Sequence, residues 1–556
     1  MSHHPLFDKH SVALHRAVEA VHQRVFYAHY PEHPGAYGPD AAEAGKVAFE
    51  QQLHRPFGEL LQTAADAKVG EEASPYTGEQ LGISYPTLSV EQAIEQASNA
   101  FETWRKTDVQ TRAGLLIESL ERITKRFHEI AQATQHTTGQ SYVMSFQASG
   151  PHAADRALET IAVGYDELTH CPEKVTWTKP MGKIAVTLEK NFRPIPRGIG
   201  LVIGCSTFPT WNTVPGLYAA LLTGNVALVK PHCKAVLPIA IFVAEIQKVL
   251  VENGFSPNTV QLVVDSSDAL LAKILAENPA VKTIDYTGGS EFGNYLESIP
   301  NKITFTEKAG INSVIIDSAN DPREVMRNLA FAVSLYSGQM CTAPQNFFIP
   351  QTGIALPDGE VCSYEDAVAL LKNEVAALAL NPKMGAGTLG AIQNPATLER
   401  AQNAKNLGAK VVLDAPNVIN SEFASARVCA PTILEADADT DIDVYTKELF
   451  GPVVVVVKTR DTAHAIALAK QMAAQHGAIT CAAYTTNDAI ADHITDEMNS
   501  VFTPVSFNFT GFIWVNQHAA FSDFHVTGGN PAGNASFTDA GYITKRFVWV
   551  GNRTKM

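Results

Sequence analysis

Two residues of this chain have the types and the spacing to do chemistry together. Cys341 lies in the run from Leu335 to Pro344, just after Gly338-Gln339-Met340, and Glu307 lies in Thr306-Glu307-Lys308-Ala309-Gly310, 341 − 307 = 34 residues earlier. A thiolate is a soft nucleophile toward a carbonyl carbon, and a carboxylate can take a proton from a thiol or a water. A cysteine alone is most often a buried, inert residue, and a glutamate alone is most often solvated. On neighbouring segments of an α/β protein the two become a candidate nucleophile and general base.

Further stretches could hold a ligand beside them. Tyr286-Thr287-Gly288-Gly289-Ser290-Glu291-Phe292-Gly293 follows an apolar strand-like run and leads into a helical one. Glycines at a strand–helix junction let backbone N–H groups approach a phosphate, and the helix N-terminus favours its charge. The spacing is Gly-x-x-x-x-Gly, not the Gly-x-Gly-x-x-Gly fingerprint, so a tight structural turn is an equal reading. Lys230-Pro231 closes another apolar run, the end of a strand where open α/β sheets bind ligands.

These segments need a scaffold, and the rhythm of the chain supplies one. Short Val/Ile-rich runs at Gly200–Gly204, Val226–Val229, Val260–Val264 and Thr283–Tyr286 alternate with helical stretches, the clearest being Ala235–Leu250. A second set follows at Ser313–Ile316, Asn346–Ile349, Lys410–Leu413, Pro452–Lys458 and Ala478–Tyr484, with a last strand at Ile513–Val515 and a Gly-rich loop at Thr527–Gly533. Strands joined by crossover helices make doubly wound parallel sheets, here two with a shared cleft. Before them, Leu116, Leu120, Ile123, Phe127 and Ile130 mark one long helix, and Lys179–Pro196 alternates as an extended hairpin or arm. In the first region Leu14, Val18, Val21 and Val25 mark an amphipathic helix. His15, His22 and His29 recur along it at intervals that separate them by roughly 10 Å, too far to share a metal, so they read as a solvated face.

Composition narrows the class of function. With 42 Lys and Arg against 57 Asp and Glu, the net charge of −15 argues against nucleic acid or an anionic membrane as partner. The seven cysteines are scattered without a Cys-x-x-Cys pair, the usage of a reduced cytoplasmic enzyme and not of a disulfide framework or zinc site. No metal is expected. The first residues have no apolar core of the secretory type, and the run Val453–Val457 is too short to cross a bilayer.

From about Pro75 onward the chain resembles the aldehyde dehydrogenase superfamily. Gly338-Gln339-Met340-Cys341 is similar to its nucleophile motif and Glu307-Lys308-Ala309-Gly310 to its base motif, at the family's spacing. Gly224-Asn225 with Val229-Lys230-Pro231, the Gly288–Gly293 loop, and Glu448-Leu449-Phe450-Gly451-Pro452 resemble three cofactor motifs. The resemblance implies an α/β, aldehyde-dehydrogenase-like fold: a helical extension (1–71), a cofactor-binding domain (72–177 and 198–310), a catalytic domain (311–500), and an oligomerisation arm with the C-terminal tail (178–197 and 501–556). It implies a homodimer or homotetramer. It also implies oxidation of an aldehyde to an acid through a thiohemiacetal and a thioester on Cys341, with Glu307 activating water. Lys230 would bind the adenosine ribose, Gly288, Gly289, Ser290 and Gly293 the cofactor loop, Glu448 the nicotinamide ribose, and Phe450 the ring.

Two positions depart from the family pattern. The oxyanion-hole asparagine is replaced by Thr207, with Asn212 five residues on as an alternative donor. The glutamate with which NAD-preferring members bind the ribose hydroxyls is replaced by Cys233, between His232 and Lys234. NAD or NADP is therefore expected as cofactor, with NADP accepted or even preferred and His232 placed beside its ribose. Within the superfamily the Ser337–Asn346 segment, the N-terminal extension and the tail His525–Gly533 look most like the PaaN-type proteins of phenylacetic acid degradation. That resemblance implies a ring-cleavage semialdehyde, carried as a CoA thioester or free. The alternatives are a CoA-acylating dehydrogenase, against which Glu307 speaks, and a non-catalytic binding or scaffold protein of the same fold.

Overall fold

The structure is a computed structural model that describes residues 4–63, 67–513, 521, 528–535 and 539–556. Among the described residues, one five-stranded sheet runs in the spatial order Val260–Leu262, Val226–Lys230, Ile199–Ile203, Val281–Thr287, Ile303–Glu307, every pairing parallel. Its strands read as unbroken apolar runs because helices cover both faces. Val226–Lys230 is buried throughout, and helix Leu237–Glu252 is buried along most of its length. Successive connections from Ile199–Ile203 go first to one side and later to the other, so a crevice opens beyond its C-terminal end.

The second sheet has seven strands, ordered Lys410–Leu413, Thr432–Asp437, Val453–Thr459, Pro344–Pro350, Asn312–Ile316, Cys481–Tyr484, Val505–Phe507. Only the edge strand Lys410–Leu413 pairs antiparallel. A third sheet is the arm: the hairpin Lys174–Met181 and Ile184–Pro196, closed by Phe547–Lys555 from the tail. The doubly wound pair of sheets and the arm agree with the sequence reading.

Several expectations are corrected. The long helix is two, Val109–Thr124 and Phe127–Thr138, broken at Lys125-Arg126; its apolar stripe simply continues across the break, with all five residues buried. The first helix spans Pro5–Gln23 and buries Phe7, His10, Leu14, Ala17 and Ala20, leaving Val25 exposed beyond its end. Arg24 at left-handed φ 51° terminates it. Of the three histidines read as a solvated face, His15 and His22 are exposed as expected, and only His29 departs from that face. His22 pairs with Asp166 at 2.8 Å, and His29, off the helix, meets Tyr27 at 3.0 Å and Glu121 at 3.3 Å. Strands Ile303–Glu307, Thr432–Asp437 and Val505–Phe507 were not expected. Trp514 and Val515 of the strand read at 513–515, and His525 to Thr527 of the tail, lie outside the described residues.

Candidate functional site

Cys341 reaches the site from a backbone that needs holding. Tyr336, Ser337 and Gly338, just ahead of it, all have positive φ (52°, 51° and 63°). Left-handed backbone costs a non-glycine residue about 1–2 kcal/mol, so tertiary contacts must stabilise it. They do. The Tyr336 hydroxyl donates to Thr138 O at 2.8 Å, and the Ser337 hydroxyl to Leu389 O at 2.9 Å and Cys429 O at 2.8 Å. A Cβ on Gly338 would lie 2.5 Å from Gly451 O, so only glycine fits there. Asn312 donates its amide N–H groups to Cys341 O at 2.8 Å and Ala343 O at 3.0 Å, while its Oδ1 accepts from Ile479 and Thr480.

Glu307 ends the last strand of the five-stranded sheet, where its carbonyl accepts from Gly288 N at 3.0 Å. The tail backs this strand end. Lys308 N donates to Ala532 O at 2.7 Å, Thr306 N donates to Asn534 Oδ1 at 2.7 Å, and Glu307 bridges Gly533. So the Gly-rich loop read near the end of the sequence positions the carboxylate.

The structure brings the two candidates together: Cys341 and Glu307 line one cavity, and the Glu307 charge acts on the Cys341 thiol. Burial pushes the thiol well above its ordinary value, and the Glu307 charge raises it further. The Cys341 thiol is therefore neutral at pH 7, with the Glu307 carboxyl in the same cavity.

Asn212 is the third member. Its Nδ2 donates to Glu307 Oε2 at 2.8 Å, its Oδ1 lies 3.7 Å from the Cys205 sulfur, and it is almost fully buried. Thr207 lies on the same loop beyond strand Ile199–Ile203, its carbonyl held by Gln140 Nε2 at 2.8 Å and its hydroxyl 3.8 Å from Cys205.

Two cavities meet at Cys341. One, about 310 Å³, is walled by Met144, Phe208, Trp211, Phe331, Leu335 and Phe512, with Ser141, Gln147, His152 and Thr388 as polar positions; Asn212 also lines it. The other, about 290 Å³, is walled by Thr207, Gly288, Gly289, Glu307, Lys308, Gln393, Arg400, Glu448 and Phe450, again with Asn212. Cys341 and Asn212 line both, whereas Thr207 lines the second alone.

The second cavity suits a phosphate-bearing, hydroxyl-rich ligand. Helix Ser290–Ser298 begins at Gly289 without a side-chain cap, and a Cβ on Gly289 would meet nothing within 4 Å, so ligand atoms can approach the backbone there. The loop carrying Glu448 and Phe450 is pinned from below. Gln345 accepts from Leu449 N at 2.6 Å and donates to Lys447 O at 2.9 Å, and Arg400 donates to Phe450 O at 2.6 Å. Burial raises the Glu448 carboxyl to about 7, and Gly310 N donates to it at 3.4 Å. Ser290 faces an adjoining cavity that Glu448 shares. Gly293 is buried on the helix, where a Cβ would lie 2.5 Å from the Lys308 side chain, so this glycine makes room for a lysine that ion-pairs with Glu297 at 2.8 Å.

Lys230 and His232 sit apart from these cavities, past strand Val226–Lys230. Lys230 is buried in an ion pair with Asp265 at 2.9 Å. His232 Nδ1 accepts from Lys234 N at 3.2 Å, and burial with the nearby Lys230 and Lys234 charges pushes it down to about 4, leaving it neutral at pH 7. Among the described residues, no group of three or more His, Cys, Asp or Glu could hold a metal ion, and no helix is long and apolar enough to cross a membrane.

Sequence reasoning missed Gln345, Arg400 and Asn534, whose work is to hold loops distant in sequence. No local pattern marks them.

Comparison with known proteins fits this geometry. A structure described as an NAD-dependent aldehyde dehydrogenase from Burkholderia multivorans is 41% identical, covers all of both chains and superposes with a TM-score of 0.96. A 1-pyrroline-5-carboxylate dehydrogenase of Bacillus subtilis (strain 168) is 25% identical over 504 residues, 85% of this chain and 90% of its own. A probable methylmalonate-semialdehyde/malonate-semialdehyde dehydrogenase [acylating] of Aedes aegypti is 24% identical over 422 residues, 74% of each chain. The family model described as "Aldehyde dehydrogenase family" matches residues 63–534. With a thiol, a carboxylate and a carboxamide converging between two cavities, and that match spanning most of its length, this chain belongs to the aldehyde dehydrogenase family of oxidoreductases.

Proposed function

We propose that the protein oxidises an apolar aldehyde, a semialdehyde of the phenylacetate ring-cleavage type, to the free acid with NAD or NADP. The observation that carries this reading is the placement of Cys341 where both cavities meet, with Glu307 in the wall of the second and its charge acting on the thiol. The aldehyde enters the aromatic-walled cavity and the dinucleotide the polar one. Cys341 Sγ adds to the carbonyl carbon as its proton passes to Glu307. Asn212 has a second amide N–H beyond the one given to Glu307, and that N–H stabilises the oxyanion; Thr207, on the same loop, is the hydroxyl donor on the cofactor side. A nicotinamide held in the polar cavity would supply a hydride acceptor, and loss of hydride from the tetrahedral adduct would leave a thioester on Cys341. Glu307 passes the thiol's proton to solvent and then takes one from water; the resulting hydroxide attacks the thioester carbonyl, the C–S bond breaks, and the leaving thiolate recovers a proton from Glu307 as the acid is released.

In this reading the uncapped turn at Gly288, Gly289 and Ser290 receives the pyrophosphate, with Gly293 as the packing glycine behind it. Glu448 binds the nicotinamide ribose and Phe450 its ring, while Lys230 and His232 flank the adenosine ribose. The PaaN-type assignment draws support from the first cavity: six apolar walls, four of them aromatic, match an aromatic-derived chain better than a short sugar aldehyde. A cytoplasmic setting agrees with seven free cysteines. The arm's exposed Trp177, Ile184, Val548 and Val550 would be covered in a homodimer or homotetramer.

The test is a panel of aliphatic, aromatic and ring-cleavage aldehydes with both dinucleotides, with Cys341→Ala beside the native enzyme. Reduced cofactor should form with the aromatic and ring-cleavage members and vanish in the variant; no turnover across the panel would refute the reading. A second reading, transfer of the acyl group to CoA, is favoured by the name of the Aedes aegypti relative. Formation of an acyl-CoA in preference to free acid when CoA is added would select it.

A further inference from the structure

Lys230, His232, Cys233 and Lys234 leave the C-terminal end of strand Val226–Lys230, and Asp265, Ser266 and Ser267 leave that of the adjacent strand Val260–Leu262. No carboxylate on the first segment faces the position proposed for the adenosine ribose, since Cys233 stands there. The structure brings one from elsewhere. Glu71, more than 150 residues earlier in the chain, accepts from Ser267 N at 2.8 Å and from the Ser267 hydroxyl at 2.7 Å, and its charge acts on the Cys233 thiol. Lys234 is close enough for its charge to act on this carboxylate.

Its placement is fixed by the next residue. Glu72 is buried, and its Oε1 accepts from Val236 N at 2.6 Å and Leu237 N at 2.9 Å, capping helix Leu237–Glu252, while Oε2 accepts from the Tyr85 hydroxyl at 2.6 Å. Glu72 O accepts from Leu81 N at 2.8 Å. With Glu72 pinned inward, Glu71 points the other way along the extended chain, toward Ser267 and Cys233. It is half-buried, so its free lone pairs remain open to a ligand.

From this geometry we infer that Glu71 is the carboxylate that accepts hydrogen bonds from the adenosine ribose hydroxyls and sets the preference for NAD over NADP. The inference rests on the dinucleotide reading above and goes beyond it. A carboxylate suits a 2′-hydroxyl and repels a 2′-phosphate. His232, neutral at pH 7, offers no compensating charge, and Lys230 is already paired with Asp265. NADP is accepted, but more weakly.

The test is the affinity of the purified full-length protein for NADH and NADPH, read by nicotinamide fluorescence at low and at 0.5 M salt. The native protein should favour NADH. Glu71→Gln should shift the NADH/NADPH ratio of dissociation constants at least about tenfold toward NADPH at low salt and less at high salt, where the charge is screened. Ser267→Ala, which frees the carboxylate without removing it, should shift the ratio in the same direction by less and serves if Glu71→Gln folds poorly. If both nucleotides bind and the ratio is unmoved in both variants, the assignment of Glu71 is overturned while the dinucleotide reading stands. If the native protein binds neither, the dinucleotide reading itself falls.

Discussion

The two cavities that meet at Cys341 have nearly the same volume, about 310 and 290 Å³, and opposite chemistry. The first is walled mostly by apolar side chains, Met144, Phe208, Trp211, Phe331, Leu335 and Phe512 among them. The second is walled by backbone at Gly288 and Gly289 and by charged or amide groups at Glu307, Arg400, Gln393 and Glu448. Side chains can be exchanged without moving the chain, so the apolar cavity is where a substrate preference is set. Backbone cannot, so the polar cavity is committed to a ligand whose shape does not vary. Cys341 and Asn212 belong to both, and the proposed chemistry is placed there.

The largest effects should come from residues shared by the two cavities. Asn212→Ala removes the carboxamide from the oxyanion and from Glu307, and kcat should fall on the order of 100- to 1,000-fold. Thr207→Val, which alters only the polar side, should stay within about tenfold. Steady-state kinetics with one good substrate ranks the two, and the reverse order would move the oxyanion donor to Thr207.

A smaller effect should separate the cavities by substrate. Phe512→Ala opens the apolar wall, so kcat/KM for an aromatic aldehyde should fall about 10- to 100-fold while that for acetaldehyde changes little. Cofactor affinity should not move. Equal losses for both aldehydes would mean that Phe512 holds the loop and not the substrate.

The smallest effect tests the polar side by pH. Burial raises Glu448 to about 7, so in the free enzyme it is increasingly protonated as pH falls below that value. A protonated carboxyl is the poorer acceptor for ribose hydroxyls, so the dissociation constant for the dinucleotide should rise as pH drops from 8 to 6, by about tenfold at most. In Glu448→Gln the profile should be flat. A pH dependence that survives the substitution would assign it to another group.

The parallel sheets were legible in the sequence because buried strands such as Val453–Val457 and Val226–Val229 must be apolar on both faces, and such runs stand out. The pair Cys341 and Glu307 was legible from its spacing and the motifs around it. The strand Ile303–Glu307 was not, since Thr304 and Thr306 break the apolar run and find their partners elsewhere, at Asn534 in the tail and at Glu297 in helix Ser290–Ser298. The break at Lys125-Arg126 was hidden because Arg126 is turned into a buried cluster with Glu59, Glu129 and Glu245, contacts that no helical period records. Asn212 could be named as an alternative donor, but its bond to Glu307 spans 95 residues. Glu71 gave no signal at all: its meaning lies in where Glu72 anchors the chain.

The central claim is that Cys341 and Glu307 act in sequence on one acyl group. Intact-mass spectrometry of Glu307→Gln, mixed with aldehyde and oxidised dinucleotide, tests it most directly. The account predicts a burst of reduced cofactor near one equivalent, a mass increase equal to the acyl group that maps to Cys341, and steady turnover slowed about 100- to 10,000-fold. The adduct should be absent in Cys341→Ala. Native-rate turnover by Glu307→Gln, or an acyl group carried on any residue other than Cys341, would contradict it.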